Sequence, residues 1–135
     1  PVIKNTKGLV KDNKLVIIDA PPGTSCPMIN TVYGTDYCIL VTEPTPFGLN
    51  DLKLAVGVLQ ELKIPHGVII NRAGIGDNKL EEYLENEDIP LLMKIPFHRE
   101  YAACYAQGHL LVDKFPILKE EFQKVIKKIQ RQVVL

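Results

Sequence analysis

A short turn, Asp19-Ala-Pro-Pro-Gly-Thr-Ser, is the stretch of this sequence best suited to chemistry. A carboxylate at the end of a strand, as expected for Asp19, can hold Mg²⁺, usually through a water molecule, because Mg²⁺ sheds its hydration shell reluctantly. The two prolines stiffen the turn, and Gly23 then offers an unobstructed N–H to an anion such as a γ-phosphate. Asp19 alone is more typical of an ordinary strand end, but the whole string favours a metal and phosphate site.

Four short apolar runs rich in β-branched residues predict the strands that would position this turn. They are Leu15 to Asp19, Cys38 to Thr42, Gly67 to Asn71 and Leu91 to Ile95. The first three are apolar almost throughout, which is the pattern of strands buried on both faces of a parallel sheet. The fourth is a weaker prediction because Lys94 interrupts it.

Helical patterns separate these runs. Thr45 can cap a helix that begins at Pro46, a residue well suited to a first turn, and Asp77 can cap a second helix. A third helix is predicted from about Arg99 to Gln107, and Gly108 suits its end. A last helix follows Pro116, and its apolar stripe comprises Leu118, Phe122, Val125, Ile126, Ile129 and Val133. Alternating strands and helices predict an α/β fold with right-handed βαβ units, a mostly parallel open sheet and flanking helices.

The carboxyl ends of the predicted strands are the expected place for a ligand. They read Asp19-Ala-Pro-Pro-Gly-Thr, Thr42-Glu-Pro-Thr-Pro, Asn71-Arg-Ala-Gly and Pro96-Phe-His-Arg. All four carry polar side chains or turn residues that expose the backbone. A binding site along this edge of the sheet is therefore the first hypothesis.

Composition narrows the function classes. Sixteen basic residues balance sixteen acidic ones, which argues against binding nucleic acid through bulk charge. No apolar run approaches the roughly 20 residues of a membrane span. Three cysteines without metal-site spacing indicate a reducing compartment, so we expect a cytoplasmic protein. Cys38 and Cys104 are expected in the core, and the three histidines, His66, His98 and His109, at the surface or in loops.

The order and spacing of these motifs resemble a known family. LVIIDAPPGTSCP looks like the Walker B and switch II segment of the MinD/ParA/Mrp class of P-loop ATPases. YCILVTEPTPFGLNDLKLAV, GVIINRAG and IPFHREYAACYAQG follow in the same order. The similarity extends from about Leu15 to about Val112 and is greatest to MinD-like ATPases with an inserted ferredoxin domain. It implies a partial P-loop NTPase fold, with residues 1–135 forming the C-terminal part of one ATPase domain.

The resemblance also implies roles for individual residues. Asp19 would be the Walker B aspartate near Mg²⁺, and Gly23 the switch II glycine that senses the γ-phosphate. Asn71 and Arg72 would lie against the adenine of ATP or ADP, and the region of Pro96 would close over the other side of the base. An amide offers both a donor and an acceptor, and an arginine can stack on a π face, so these roles are chemically reasonable. Without the resemblance, Asn71 is equally well explained as a turn residue.

Two elements of the family pattern are absent from the sequence. The phosphate loop, G-x-x-x-x-G-K-[ST], does not occur, and neither does the cysteine run of the ferredoxin insert with its iron–sulfur cluster. Both would precede Pro1, so we expect this chain to be the second half of a larger protein and inactive as an ATPase alone. His98 also stands where the family often has an acidic residue.

Three functions follow from the resemblance. The first is an ATP-binding switch that forms a homodimer across its nucleotide when intact. The second is an iron–sulfur carrier or assembly scaffold gated by ATP, with a redox or iron–sulfur partner. The third is a membrane-surface partitioning factor that binds through its basic last helix. For that helix, packing against the sheet is favoured over membrane binding, because acidic Glu120 and Glu121 dilute its charge.

Overall fold

A computed structural model describes residues 15–133 of the chain. It contains three strands and six helices within that range. The strands are β1 (Cys38–Thr42), β2 (His66–Ala73) and β3 (Leu91–Pro96). The helices are α1 (Cys26–Val32), α2 (Pro46–Glu61), α3 (Lys79–Asn86), α4 (Arg99–Ala106), α5 (Leu111–Lys114) and α6 (Pro116–Gln132).

The sheet has the predicted α/β architecture. Its strands lie in the order β1-β2-β3, and both neighbouring pairs are parallel. Helix α2 connects β1 to β2, and α3 connects β2 to β3, as expected for consecutive βαβ units. The three-stranded parallel sheet with flanking helices is consistent with part of a P-loop type of α/β fold.

One face of the sheet packs against α2 and α3. Val68 and Ile70 of β2 contact a buried apolar cluster whose other members come from these helices and the start of β3: Leu52, Val56, Leu80, Leu84 and Ile89. Helix α1 joins this side of the molecule, since Met28 and Val32 pack with Leu59 and Ile64 at the end of α2. Leu52, Val56 and Leu59, at helical spacing, are thus the buried stripe of α2.

The other face of the sheet packs against α6. Leu118 and Val125 of this helix are buried with Ile69 of β2 and Met93 of β3. The apolar stripe of the last helix therefore lies on the sheet, as the packing interpretation expects. Among the described residues, no helix combines the length and the apolar character needed to cross a bilayer.

The predicted burial of β2 on both faces is confirmed, but the same prediction is wrong for β1. Residues Gly67 to Ile70 are all buried, whereas Ile39 and Val41 of β1 are 39% and 64% exposed. Helix α6 covers β2 and β3 and leaves this side of β1 uncovered by the described residues. β1 is also an edge strand, with β2 as its one partner within residues 15–133.

The predicted strand from Leu15 to Asp19 is wrong as well. The structure places these residues in an irregular segment, with Leu15 62% and Ile17 80% exposed. A doubly buried strand needs a hydrogen-bonded neighbour and a layer of helix on each face. The segment does not pair with the free edge of β1, and its apolar side chains remain exposed. The apolar pattern alone therefore did not produce a strand.

Candidate functional site

The turn between β1 and α2 is held rigidly at the carboxyl edge of the sheet. Thr42, the last residue of β1, is buried, and its hydroxyl donates to the carbonyl oxygen of Gly48 at 3.0 Å. Thr45 caps α2 as predicted, since its hydroxyl oxygen accepts from the N–H of Gly48 at 3.0 Å. Pro44 and Pro46 further restrict the backbone. Glu43, between these fixed points, therefore has a defined position beside the end of β1.

Strand β2 carries a bulge at the two residues predicted to face adenine. Ile70 pairs with Lys94 and Ala73 pairs with Pro96, so β2 has one more residue than β3 between these two pairs. Arg72 lies in this interval with a left-handed backbone, φ 54°. Bulges bend a strand and redirect its side chains, and strained residues of this kind concentrate at functional sites. The irregularity thus coincides with Asn71 and Arg72.

The side chain of Arg72 links the ends of all three strands. Its Nη1 lies 3.3 Å from Oε2 of Glu43, which follows β1, and donates a hydrogen bond to it. Its Cζ lies 5.6 Å from the centre of the ring of Phe97, which follows β3. The two charged side chains are 53% and 39% exposed, and Phe97 is 49% exposed. A planar cation beside an exposed aromatic ring is suited to stacking on a flat ligand.

The segment after β3 continues this edge. The N–H of Phe97 donates to the carbonyl oxygen of Ala73 at 3.0 Å, which extends the β2–β3 pairing past Pro96. His98 then caps α4, because its Nδ1 accepts from the N–H of Glu100 at 3.3 Å. His98 is exposed, as predicted. Of the predicted site residues, Arg72 lies next to the Ala73–Pro96 pair, and Asn71 precedes it in the same strand.

The loop after β2 packs closely against the turn after β1. Gly76 has φ 103°, and a Cβ added there would lie 2.2 Å from the carbonyl oxygen of Pro44. Only glycine permits this backbone and this approach. Asp77 accepts a hydrogen bond from the N–H of Lys79 at 3.2 Å, close to the predicted cap of α3, although Asn78 is the residue at the cap position. The Lys79 side chain also hydrogen-bonds Asp77 and lowers the pKa of its carboxyl group.

Asp19 and Gly23 lie in the irregular segment that precedes α1. Asp19 is exposed, and Gly23 has φ 87° with no atom within 4 Å of an added Cβ. The left-handed backbone and open surroundings fit a glycine whose N–H approaches an anion. Within residues 15–133 no three His, Cys, Asp or Glu side chains are grouped to hold a metal ion. A single exposed carboxylate such as Asp19 can hold Mg²⁺ only beside waters and ligand oxygens.

Glu43 and Phe97 belong to this site and were not identified as site residues from the sequence. Both stand within one residue of a strand end, in the strings Thr42-Glu-Pro-Thr-Pro and Pro96-Phe-His-Arg. Their position at the ends of predicted strands was a signal in the sequence for a role in the site. The pairing of Glu43 with Arg72 depends on the bulge, which follows from the register between β2 and β3 and has no signature in one strand alone.

A groove of about 460 Å³ lies at the opposite, amino edge of the sheet. Its walls are formed by the ends of α2 and α3 and the starts of β2 and β3, and they include Lys63, His66 and Asp88. The hydroxyl of Tyr37 is buried here and finds no hydrogen-bond partner among residues 15–133. Burial, together with the nearby Cys38, raises the pKa of Tyr37. The mixed charges of this groove define no ligand class.

Comparison with known proteins finds two relatives from the archaeon Methanocaldococcus jannaschii. The uncharacterized protein MJ0579 is 35% identical over 109 residues, which are 79% of this chain and 37% of that protein. The uncharacterized protein MJ0578 is 27% identical over 131 residues, which are 96% of this chain and 45% of that protein. The chain thus spans less than half the length of either relative. No family model matches the sequence.

Proposed function

We propose that this chain is the second half of an ATP-binding switch domain of the MinD-like class. The observation that carries the proposal is the bulge in β2, which sets Asn71 and Arg72 beside Pro96 at the carboxyl edge of a parallel sheet. Open α/β sheets bind their ligands at this edge. The strings that resemble Walker B, switch II and the adenine-binding segments also follow one another along the chain in the order of that family.

Some of the proposed site residues would contact the base of the nucleotide, and others its phosphates and Mg²⁺. Asn71 offers an amide donor and acceptor for the edge of adenine, and Arg72 and the Pro96 region offer flat surfaces for its faces. Asp19 provides the carboxylate for Mg²⁺, and Gly23 an N–H for the γ-phosphate. When bound, Mg²⁺ would neutralise phosphate charge. The chain's own contribution to catalysis is positioning, since this type of phosphoryl transfer needs no side-chain nucleophile.

The edge of β1, open among residues 15–133, supports the view that the sheet continues beyond the described residues. Ile39 and Val41 expose apolar side chains there, and Leu15 to Ile17 are exposed despite a strand-like composition. Strands of a parallel sheet are normally buried on both faces. Further strands and another layer of helices would therefore cover the exposed apolar side chains of β1 and of residues 15–17. The greater length of the two relatives agrees with this. In the complete protein we expect a cytoplasmic homodimer across ATP, by analogy with the family.

Replacing Asn71 by alanine tests the base assignment. We expect Asn71→Ala to weaken ATP binding by about 1–3 kcal/mol in a complete protein, because a buried polar contact with the base loses its partner. GTP binding, weaker at the outset, should change less. Isothermal titration with both nucleotides measures this, and Asn86→Ala, an exposed change at the end of α3, is the matched control. Equal affinity for ATP and GTP, unaffected by Asn71→Ala, would rule out the assignment.

A further inference from the structure

The contacts of Arg72 at the carboxyl edge use two different parts of its side chain. One N–H of the guanidinium donates to the carboxylate of Glu43 at 3.3 Å. The guanidinium carbon lies 5.6 Å from the centre of the Phe97 ring, within the distance of a cation–π contact. The carboxylate therefore partly compensates the charge of Arg72, and the guanidinium, 53% exposed as a side chain, lies beside the Phe97 ring.

The backbone of Arg72 shows that this arrangement is imposed by its surroundings. A left-handed backbone is unfavourable for an arginine, and such a residue persists where neighbouring structure determines it. The Ala73–Pro96 pairing fixes the chain just after Arg72. The hydrogen bond to Glu43 fixes the side chain, and Glu43 is itself held by the rigid turn that contains Thr42 and Thr45.

We propose that Glu43 is a positioning residue that holds Arg72 over Phe97, and that Arg72 and Phe97 together form a stacking platform for an adenine base. This inference rests on the proposed function, which already sets Arg72 against the base, and it adds the roles of Glu43 and Phe97. An arginine that binds phosphate presents its N–H fork to the anion. The fork of Arg72 is directed in part at a carboxylate of its own chain, which would repel an approaching phosphate.

The expected effect is modest because the ion pair is exposed. Exposed pairs contribute little, so loss of the Glu43 charge should weaken adenosine binding by about two- to fivefold. Removal of the Phe97 ring should weaken it more, because stacking on an aromatic ring contributes more than an exposed ion pair. The effect of Glu43 should depend on Arg72, since the carboxylate is proposed to act through that side chain alone.

The test combines a ligand-free measurement with an adenosine titration, both by NMR on the 135-residue chain. In the free chain, the Phe97 ring current should shift the side-chain protons of Arg72 upfield, and Glu43→Gln and Phe97→Leu should each remove this shift. Adenosine, which has no phosphate, should then bind two- to fivefold more weakly to Glu43→Gln. Glu87→Gln, an exposed change at the other edge, is the control. In an Arg72→Asn background, which tolerates the left-handed backbone, Glu43→Gln should have no further effect.

The outcomes separate this inference from the proposed function. An Arg72 signal that is not shifted, or that is unchanged by Glu43→Gln, overturns the positioning role whatever the nucleotide affinity. An equal loss of adenosine binding from Glu43→Gln with and without Arg72 overturns it as well, because Glu43 would then act by another route. A shifted, Glu43-dependent Arg72 signal without adenosine binding supports the positioning role and overturns the platform, whereas the proposed function is tested separately by ATP binding to the complete protein.

Discussion

Gly48, in the first turn of α2, gives the sharpest prediction from the geometry of the site. A Cβ at this position would lie 2.3 Å from the carbonyl oxygen of Glu43 and 2.9 Å from the hydroxyl oxygen of Thr42. The first of these is a backbone atom in the turn that places Glu43, so it cannot move without disturbing that turn. Gly48→Ala should therefore destabilise the protein and displace Glu43 from Arg72.

The magnitude follows from two opposing effects. Steric overpacking of this kind costs about 1–3 kcal/mol, whereas replacing glycine by alanine in a helix gains about 0.5–1 kcal/mol. The net loss of unfolding free energy should be about 1–2 kcal/mol. Gly57 in the same helix provides the matched control, because an added Cβ there meets no atom within 4 Å. Gly57→Ala should thus stabilise the protein by about 0.5–1 kcal/mol.

Urea unfolding of the three proteins, followed by circular dichroism, measures both changes. The two alanine variants should shift the midpoint in opposite directions with similar slopes. If Gly48→Ala were as stable as Gly57→Ala, the close contact between α2 and the turn after β1 would not exist as described. The account of how Glu43 is positioned would then be wrong.

Two further predictions concern the metal and the amino edge. Asp19→Asn should preserve the fold and impair Mg²⁺-dependent ATP hydrolysis in a complete protein, because the negative charge near the cation is lost; unchanged turnover and unchanged Mg²⁺ dependence would refute the Walker B role. Tyr37→Phe should leave the unfolding free energy at neutral pH unchanged or raise it by up to about 1 kcal/mol, since it removes a buried hydroxyl without a partner. Burial raises the pKa of Tyr37 above its ordinary 10.0, so the unfolded chain loses the Tyr37 proton at a lower pH than the folded protein does. The ionisation of Tyr37 therefore leaves the unfolding free energy unchanged below pH 10 and lowers it as the pH rises from there through the folded-state pKa. Urea titrations above pH 10 should show a smaller loss of stability in Tyr37→Phe, and an equal loss in both proteins would contradict the burial of this hydroxyl.

Local sequence rules predicted the helices well. Thr45 and Pro46 mark the start of α2, and Pro116 marks the start of α6, because capping and first-turn preferences act over a few residues. Gly108, with φ 75°, follows the end of α4 as expected. Helices α1 and α5 were missed, although Pro27 in the first turn of α1 and the spacing of its buried residues were signals for α1.

Features that depend on distant residues were not predictable in the same way. The pattern Leu15 to Asp19 has the composition of a buried strand, but a strand forms only beside partners, and this segment pairs with no strand of the described residues. The bulge at Asn71 and Arg72 arises from the register with β3. The role of Glu43 depends on that bulge. Its position after a strand marks Glu43 as a candidate site residue, but the sequence does not show that Glu43 pairs with Arg72.

The most direct test of the central claim compares this chain with the complete product of the gene that carries it. Both would be assayed side by side for Mg²⁺-dependent ATP hydrolysis. A triphosphate carries about three to four negative charges, and nucleotide-binding folds neutralise them with backbone N–H groups, a lysine and Mg²⁺. Under the proposed function the 135-residue chain would supply the base site, Asp19 and Gly23, and its sequence lacks the glycine-lysine loop. We therefore predict turnover by the complete product and none by the chain alone, and robust hydrolysis by the chain alone would contradict the account.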